Sequence, residues 1–200
     1  APSSTIVLIH GLWVTPKSWE NFRQHYESLG CTVLAPAWPG VLNDVEAMRR
    51  DPSGLNGVGA REVVEHYAAI IRALPEPPVI MGHSYGGVIA QILLDRGLGA
   101  SGVAIDSVPP RGIVRLPAST ILALLPALLN PRSLRGTFLF SFPKWWRVFA
   151  NSLTEEDARQ AYFQQAIPAS GRAIYQAALA NLTPQAATTI DFHNRSRAPL

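Results

Sequence analysis

The stretch Pro78-Val79-Ile80-Met81-Gly82-His83-Ser84-Tyr85-Gly86-Gly87-Val88-Ile89 constrains the fold of this chain more than any other. An apolar run of buried-strand length ends at Gly82, and a helical pattern runs from Val88 to Asp95. Only a tight turn fits between them. A serine at the apex of such a strand-to-helix turn is forced into strained backbone geometry, so the positions two residues away must lack bulk. Gly82 and Gly86 meet that demand, and Gly87 gives room for the helix to pack on the sheet. The turn aims the Ser84 hydroxyl over the sheet, with the next N–H at the helix start beside it. This is the construction of a nucleophile elbow, and it points to acyl-transfer chemistry. Such chemistry also needs a base.

The rest of the first half alternates strand and helix. Thr5 to Ile9 is a continuous β-branched and apolar run, suited to a parallel strand covered on both faces. Pro16 opens a helix through Leu29, with Trp19, Phe22, Tyr26 and Leu29 at three- and four-residue steps and Gly30 as its C-cap. Thr32 to Ala35 read as a second strand, stopped by Pro36 and by Trp38-Pro39-Gly40. Residues 40–57 read as a surface loop holding at most a short helix around Val45 to Arg49. An amphipathic helix follows from Gly59 to Leu74. Gly102 to Ile105 form a fourth strand that ends at Asp106. The order β-α-β-α-β-α-β predicts a doubly wound parallel sheet with functional groups at the carboxyl ends of its strands. His10, Ser84 and Asp106 all fall at such ends.

Beyond Ser107 the strand pattern stops. Residues 119–129 are almost wholly apolar, Thr154-Glu155-Glu156-Asp157 starts a helix in the manner of a capping box, and Pro168 to Gly171 starts another through Asn181. A helical insertion over residues 107–185 is expected to roof the strand ends of a core formed by 1–106, with 186–200 returning to that core. Residues 107–153 carry six basic side chains (Arg111, Arg115, Arg132, Arg135, Lys144, Arg147) and no acidic one. Trp145-Trp146 beside Lys144 and Arg147 raises membrane contact as a reading; ordinary core with a solvated basic rim is the other, and the one favoured for most of these residues. Arg197-Ala198-Pro199-Leu200 reads as the entry to a further strand.

Composition narrows the classes. With 48% hydrophobic and 16% charged residues the chain is of ordinary globular type. No apolar run reaches the ~18 residues of a membrane span, so no integral membrane segment is expected. A net charge of +3, without an aromatic-basic platform, gives no case for nucleic acid. The single cysteine, Cys31, rules out an internal disulfide and a multi-cysteine metal site; its strand-like neighbours predict a buried thiol. Ala1 to Ser4 show no secretory pattern, so the cytoplasm is the expected location, with secretion after removal of a leader as the alternative.

His10-Gly11 after the first strand, Gly82-His83-Ser84-Tyr85-Gly86-Gly87 after the third, and helices after the fourth resemble the α/β-hydrolase family. The likeness is to its small bacterial esterase- and lipase-like members with a helical cap. The resemblance implies a serine hydrolase of carboxylic esters or related acyl substrates, with no cofactor and no metal. Ser84 would be the nucleophile. The backbone N–H of Tyr85 and that of Leu12, with Trp13 the near alternative, would form the oxyanion hole, and His10 would fix that loop at the pocket floor. Asp106 stands where a minority of the family places its acid; capping of the Ser107-Val108 turn is the preferred reading. The family's histidine and usual acid follow the cap, and neither is found in these 200 residues. His193 is expected to lie far from Ser84 in a local hydrogen bond, and His83 to point away from the site. The missing groups would then come from a further C-terminal segment of the same protein. A lyase or cofactor-free peroxidase on the same fold, and a non-catalytic ligand-binding protein, are the competing readings.

Overall fold

A computed structural model describes residues 4–114 and 118–200 of the chain, with the side chain of Ser119 also excluded. Arg115, one of the six cations of the basic stretch, and Ala1 to Ser3 lie outside the described residues. Four parallel strands, β1 (Thr5–Ile9), β2 (Thr32–Leu34), β3 (Val79–His83) and β4 (Ser101–Ile105), form a sheet in the order β2-β1-β3-β4. In register, Ile9 sits opposite Gly82 and His83 opposite Ile105. The ends of β1, β3 and β4 therefore meet at one edge of the sheet.

The crossovers are helical. A 3-10 turn, Pro16–Trp19, capped by the Thr15 hydroxyl, leads into α1 (Glu20–Ser28). α2 (Val45–Arg50) is the short helix expected in the loop after β2; the Asp44 carboxylate caps it by accepting from the N–H groups of Glu46 and Ala47. α3 (Ala60–Arg72) begins where Glu62 accepts from the Gly59 N–H. α4 (Tyr85–Asp95) follows Ser84 directly, three residues before the helical pattern becomes visible in sequence. Its first turn is built of Tyr85, Gly86 and Gly87, whose composition carries no periodicity.

The two faces of the sheet are covered unequally. Val7, Ile9 and Ile80 pack with α3 and α4 into the main core, which includes Tyr67, Val88 and Leu93. The opposite face holds a smaller cluster of Ile6, Leu8, Met81 and Trp19, with Tyr26 and Cys31 packed on its margin. Of the stripe expected along α1, only Trp19 and Tyr26 reach this face; Phe22 and Leu29 are exposed. Cys31 is half-buried rather than buried, because β2 is the edge strand and little covers it.

Residues 118–182 form α5 (Ala118–Leu128), α6 (Phe142–Phe149), α7 (Glu155–Gln165) and α8 (Gly171–Ala178), closed by a 3-10 turn at Ala180–Leu182. The Thr154 hydroxyl caps α7 by accepting from the Asp157 N–H. Sequence patterning misses two features here. One is α6, where Pro143 sits in the first turn of an aromatic run. The other is a two-stranded antiparallel ribbon of β5 (Thr137–Phe138) and β6 (Ala169–Ser170), too short to show alternation. Residues 186–200 form no strand among the described residues. The Pro199 carbonyl nevertheless accepts from Gly102 N–H at 2.9 Å, on the side of β4 away from β3.

The approach of α4 to the sheet leaves no room for a methyl group. A Cβ on Gly86 would lie 2.1 Å from the Ile9 carbonyl oxygen, and one on Gly82 would lie 2.0 Å from the Gly86 oxygen. Both obstacles are backbone, so neither can rotate away. Gly86→Ala and Gly82→Ala should each lower unfolding free energy by about 3 kcal/mol or more. Gly97→Ala, at φ 72° with open space around it, should cost only about 1–2 kcal/mol. Urea unfolding midpoints measure the difference; equal losses at 86 and 97 would show that the helix can move off the sheet.

Candidate active site

Ser84 adopts φ 56° and ψ −119°, a region that non-glycine residues enter only under constraint. Three backbone hydrogen bonds supply that constraint. The Ser84 N–H donates to the Ile105 carbonyl at 3.0 Å, and its own carbonyl accepts from Gly87 N–H and Val108 N–H, each at 3.0 Å. The serine is thus tied to β4 and to the segment after it, as well as to its own helix. Its side chain is half-buried, and its hydroxyl has no hydrogen-bond partner among the described residues.

The turn after β1 lies against this serine. A Cβ on Gly11 would come within 3.0 Å of the Ser84 Cβ and 3.4 Å of its Oγ, so only glycine leaves the hydroxyl unobstructed there. Leu12 follows, half-buried between the two larger apolar clusters. Among the described residues, the N–H groups of Leu12 and Tyr85 meet no protein acceptor.

His10 holds the turn from below. It is 1% exposed, stacked on Trp38 with ring centroids 5.3 Å apart. Its Nε2 accepts from the Trp38 backbone N–H at 3.2 Å, which puts the proton on Nδ1, donating to the Gly11 carbonyl at 2.9 Å. The Trp38 indole N–H closes the loop by donating to the His10 carbonyl at 3.1 Å. Burial pushes the imidazole pKa down to about 4, with the Gly11 bond opposing. A neutral imidazole with both nitrogens engaged cannot serve as a base, and the expected role in fixing the loop fits these bonds.

Trp13 holds the same turn from above. It takes φ 64°, is buried, and donates its indole N–H to the Phe138 carbonyl at 2.9 Å. Its own carbonyl accepts from Ile167 N–H, and its ring packs 5.0 Å from that of Phe140. Between the turn and the helical segment lies a cavity of about 10 Å³, lined by His10, Trp13, Trp38 and Ile167 among others and large enough for one water at most. Two further bolts join the helical segment to the core. Arg49 donates to the Ala166 and Tyr162 carbonyls at the end of α7. Gln176 of α8 accepts from Ala60 N–H at 2.8 Å and from the Tyr85 hydroxyl at 3.5 Å.

The remaining residues singled out in the sequence fall apart. Asp106 is exposed at φ 43° and makes no hydrogen bond among the described residues, so it does not cap the Ser107-Val108 turn. Ser107 does that locally, donating to the Val108 carbonyl at 2.9 Å. Asp106 acts on His83, whose pKa is lowered by partial burial and raised in opposition by the Asp106 charge. His83 lies on the outer face, edge-on to Trp19 at 6.5 Å. His193 is fully exposed, its backbone N–H on Asp191, in a segment whose Asn194 binds Asp95 at the far end of α4. An eleven-residue helix is about 16 Å long, so this histidine is remote from Ser84. Sequence reasoning missed Trp38, Arg49 and Gln176. Only Trp38 carried a signal, as a tryptophan placed just past the strand beside His10.

The buried neutral His10 has a consequence for stability. Its pKa is depressed on folding, so its contribution is full above the ordinary value near 6.5 and is lost as pH falls to about 4. That amounts to about 3 kcal/mol. Urea titrations at pH 7 and pH 4 should show the wild-type protein losing about that much more than His10→Asn. Matching losses in the two proteins would place the acid sensitivity elsewhere.

A sequence model described as the alpha/beta hydrolase family matches residues 6–197. Among solved structures, the chain is similar to an extracellular alpha/beta-hydrolase from a Paenibacillus species, described as sharing structural and functional homology with tobacco salicylic acid binding protein 2. The TM-score is 0.68 at 24% identity, over 86% of this chain and 69% of that one. It is similar to a pyrethroid hydrolase from Sphingobium faniae, with TM-score 0.64 and 18% identity over 86% and 70% of the two chains. A methylesterase from Arabidopsis matches with TM-score 0.58 and 15% identity over 92% and 73%. The search of curated proteins finds no match.

Proposed function

The chain belongs to the alpha/beta hydrolase family, and on that premise we propose that it is a serine hydrolase of carboxylic esters, with Ser84 as nucleophile. The observation that carries this reading is a Ser84 hydroxyl without a partner among the described residues, on a backbone at positive φ, flanked by two N–H groups that meet no acceptor among them. Attack of Ser84 Oγ on an ester carbonyl would place negative charge on the carbonyl oxygen. The N–H groups of Tyr85 and Leu12 would receive it, each such donor being worth about 2.7–4 kcal/mol in other acyl-transfer sites. His10 acts only as a positioning residue, since its proton is committed to Gly11. The helical segment of residues 107–185 serves as the cap over the acyl group, with Trp13 at the junction. The solved structures described as hydrolases and esterases support an ester as the substrate class.

The general base and its acid partner are proposed to come from a further segment of the same protein. Two observations support this. His10 is locked and His193 is remote, and the outer side of β4 already donates one backbone bond, from Gly102 N–H to the Pro199 carbonyl. A second reading, a ligand-binding protein without turnover, is favoured by the lack of a free imidazole beside Ser84 among the described residues.

A fluorophosphonate probe should label Ser84 in the whole protein, and short-chain p-nitrophenyl esters should be hydrolysed. Ser84→Ala should abolish labelling and lower kcat at least 10³-fold. A protein that binds ester analogues equally well with and without Ser84, and turns none over, would decide for the binding reading.

A further inference from the structure

From Ile121 to Leu128 α5 is wholly apolar, a composition normally reserved for a helix surrounded by protein. Only part of it is so surrounded. Ala123 and Ala127 are buried, while Tyr175 of α8 donates its hydroxyl to the Leu128 carbonyl. On the opposite side, Ile121, Leu122, Pro126 and Leu129 are exposed, Leu122 at 61% and Leu129 at 76%. Their spacing puts them on one continuous face. The loop before the helix adds Val114, 82% exposed.

The stretch of chain that carries this face has charge of one sign. Residues 107–153 hold six basic side chains and no acidic one, whereas the rest of the chain has a net charge of −3. The described cations of that stretch, Arg111, Arg132, Arg135, Lys144 and Arg147, form no ion pair with any described residue. Arg132 and Arg135 follow α5 directly and are exposed. The tryptophan pair is not part of this surface: Trp145 is buried, and Trp146 donates its indole N–H to the Leu153 carbonyl.

We infer that the exposed face of α5 docks on an anionic lipid bilayer, with Leu122 and Leu129 entering the headgroup region and Arg132 and Arg135 meeting lipid phosphates. An apolar strip bordered by unpaired cations is what an interfacial helix presents to such a surface. A second copy of the chain is the wrong occupant on charge grounds, because a face-to-face pair would bring two basic stretches together with no acidic group in either. The inference is independent of the chemistry at Ser84. It also differs from membrane spanning, since no helix among the described residues is long and apolar enough to cross a bilayer.

Flotation of the whole protein with vesicles tests it, comparing pure phosphatidylcholine with equal parts phosphatidylcholine and phosphatidylglycerol. The protein should float with the anionic vesicles, remain behind with the neutral ones, and be released by raised salt. Arg132→Gln with Arg135→Gln should weaken partitioning roughly 25-fold, about fivefold per cation. Leu122→Gln with Leu129→Gln should weaken it at least about tenfold. Neither pair should change the urea midpoint, since the side chains are exposed. Three results would each overturn the inference: no flotation with either vesicle, equal flotation with both, or a concentration-dependent dimer that the leucine pair abolishes.

Discussion

The close contact between the first turn of α4 and the backbone ends of β1 and β3 governs this molecule. Gly86 sits where a Cβ would overlap the Ile9 carbonyl, and Gly82 where one would overlap Gly86 itself. A helix brought that near the sheet cannot be reached from β3 by a relaxed turn, so Ser84 takes the strained geometry. A conformation of that kind costs of order 1–3 kcal/mol and persists only when surrounding bonds over-determine it. Here the bonds to Ile105, Gly87 and Val108 do so. Part of the serine's constraint thus comes from β4, a strand that does not touch β1.

The turn after β1 depends on the same contact, because Gly11 rests on Ser84. It is held from two sides by tryptophans acting differently. Trp38 uses its backbone N–H and its indole N–H to pin His10, and burial keeps that imidazole neutral. Trp13 points the other way and ties the turn to Phe138, Phe140 and Ile167 of the helical segment. A shift of the helical segment is therefore felt at the turn without passing through the sheet. Arg49 and Gln176 add two more connections, each using a long side chain to satisfy backbone groups at a helix end.

Local patterns and tertiary demands contributed unequally to what could be read. The four strands and most helices were legible because burial on a sheet writes a period of two or a continuous apolar run, and helices write 3.6. α6 escaped although Phe142, Trp145, Trp146 and Phe149 share one face, because Pro143 in its first turn reads as a breaker and the helix is only 8 residues long; β5 and β6 escaped because two residues have no period. The start of α4 escaped for a subtler reason: glycines forced by close approach carry no hydrophobic signal. Expectations about Asp106 and Cys31 went astray where exposure, rather than local pattern, decided the outcome.

Sequence alone determined the elbow, since the spacing of Gly82, Ser84 and Gly86 admits little else between a buried strand and a helix. It also determined the parallel order and the one-signed charge of residues 107–153, which follow from chain order and composition. Only the tertiary structure decided which proton His10 carries, that Asp106 is left exposed instead of capping the turn beside it, and which side of α5 is left bare. Those are matters of which surfaces meet. Contacts between residues a hundred positions apart, such as Trp13 with Phe138 or Ala60 with Gln176, leave no periodic trace in the chain that makes them.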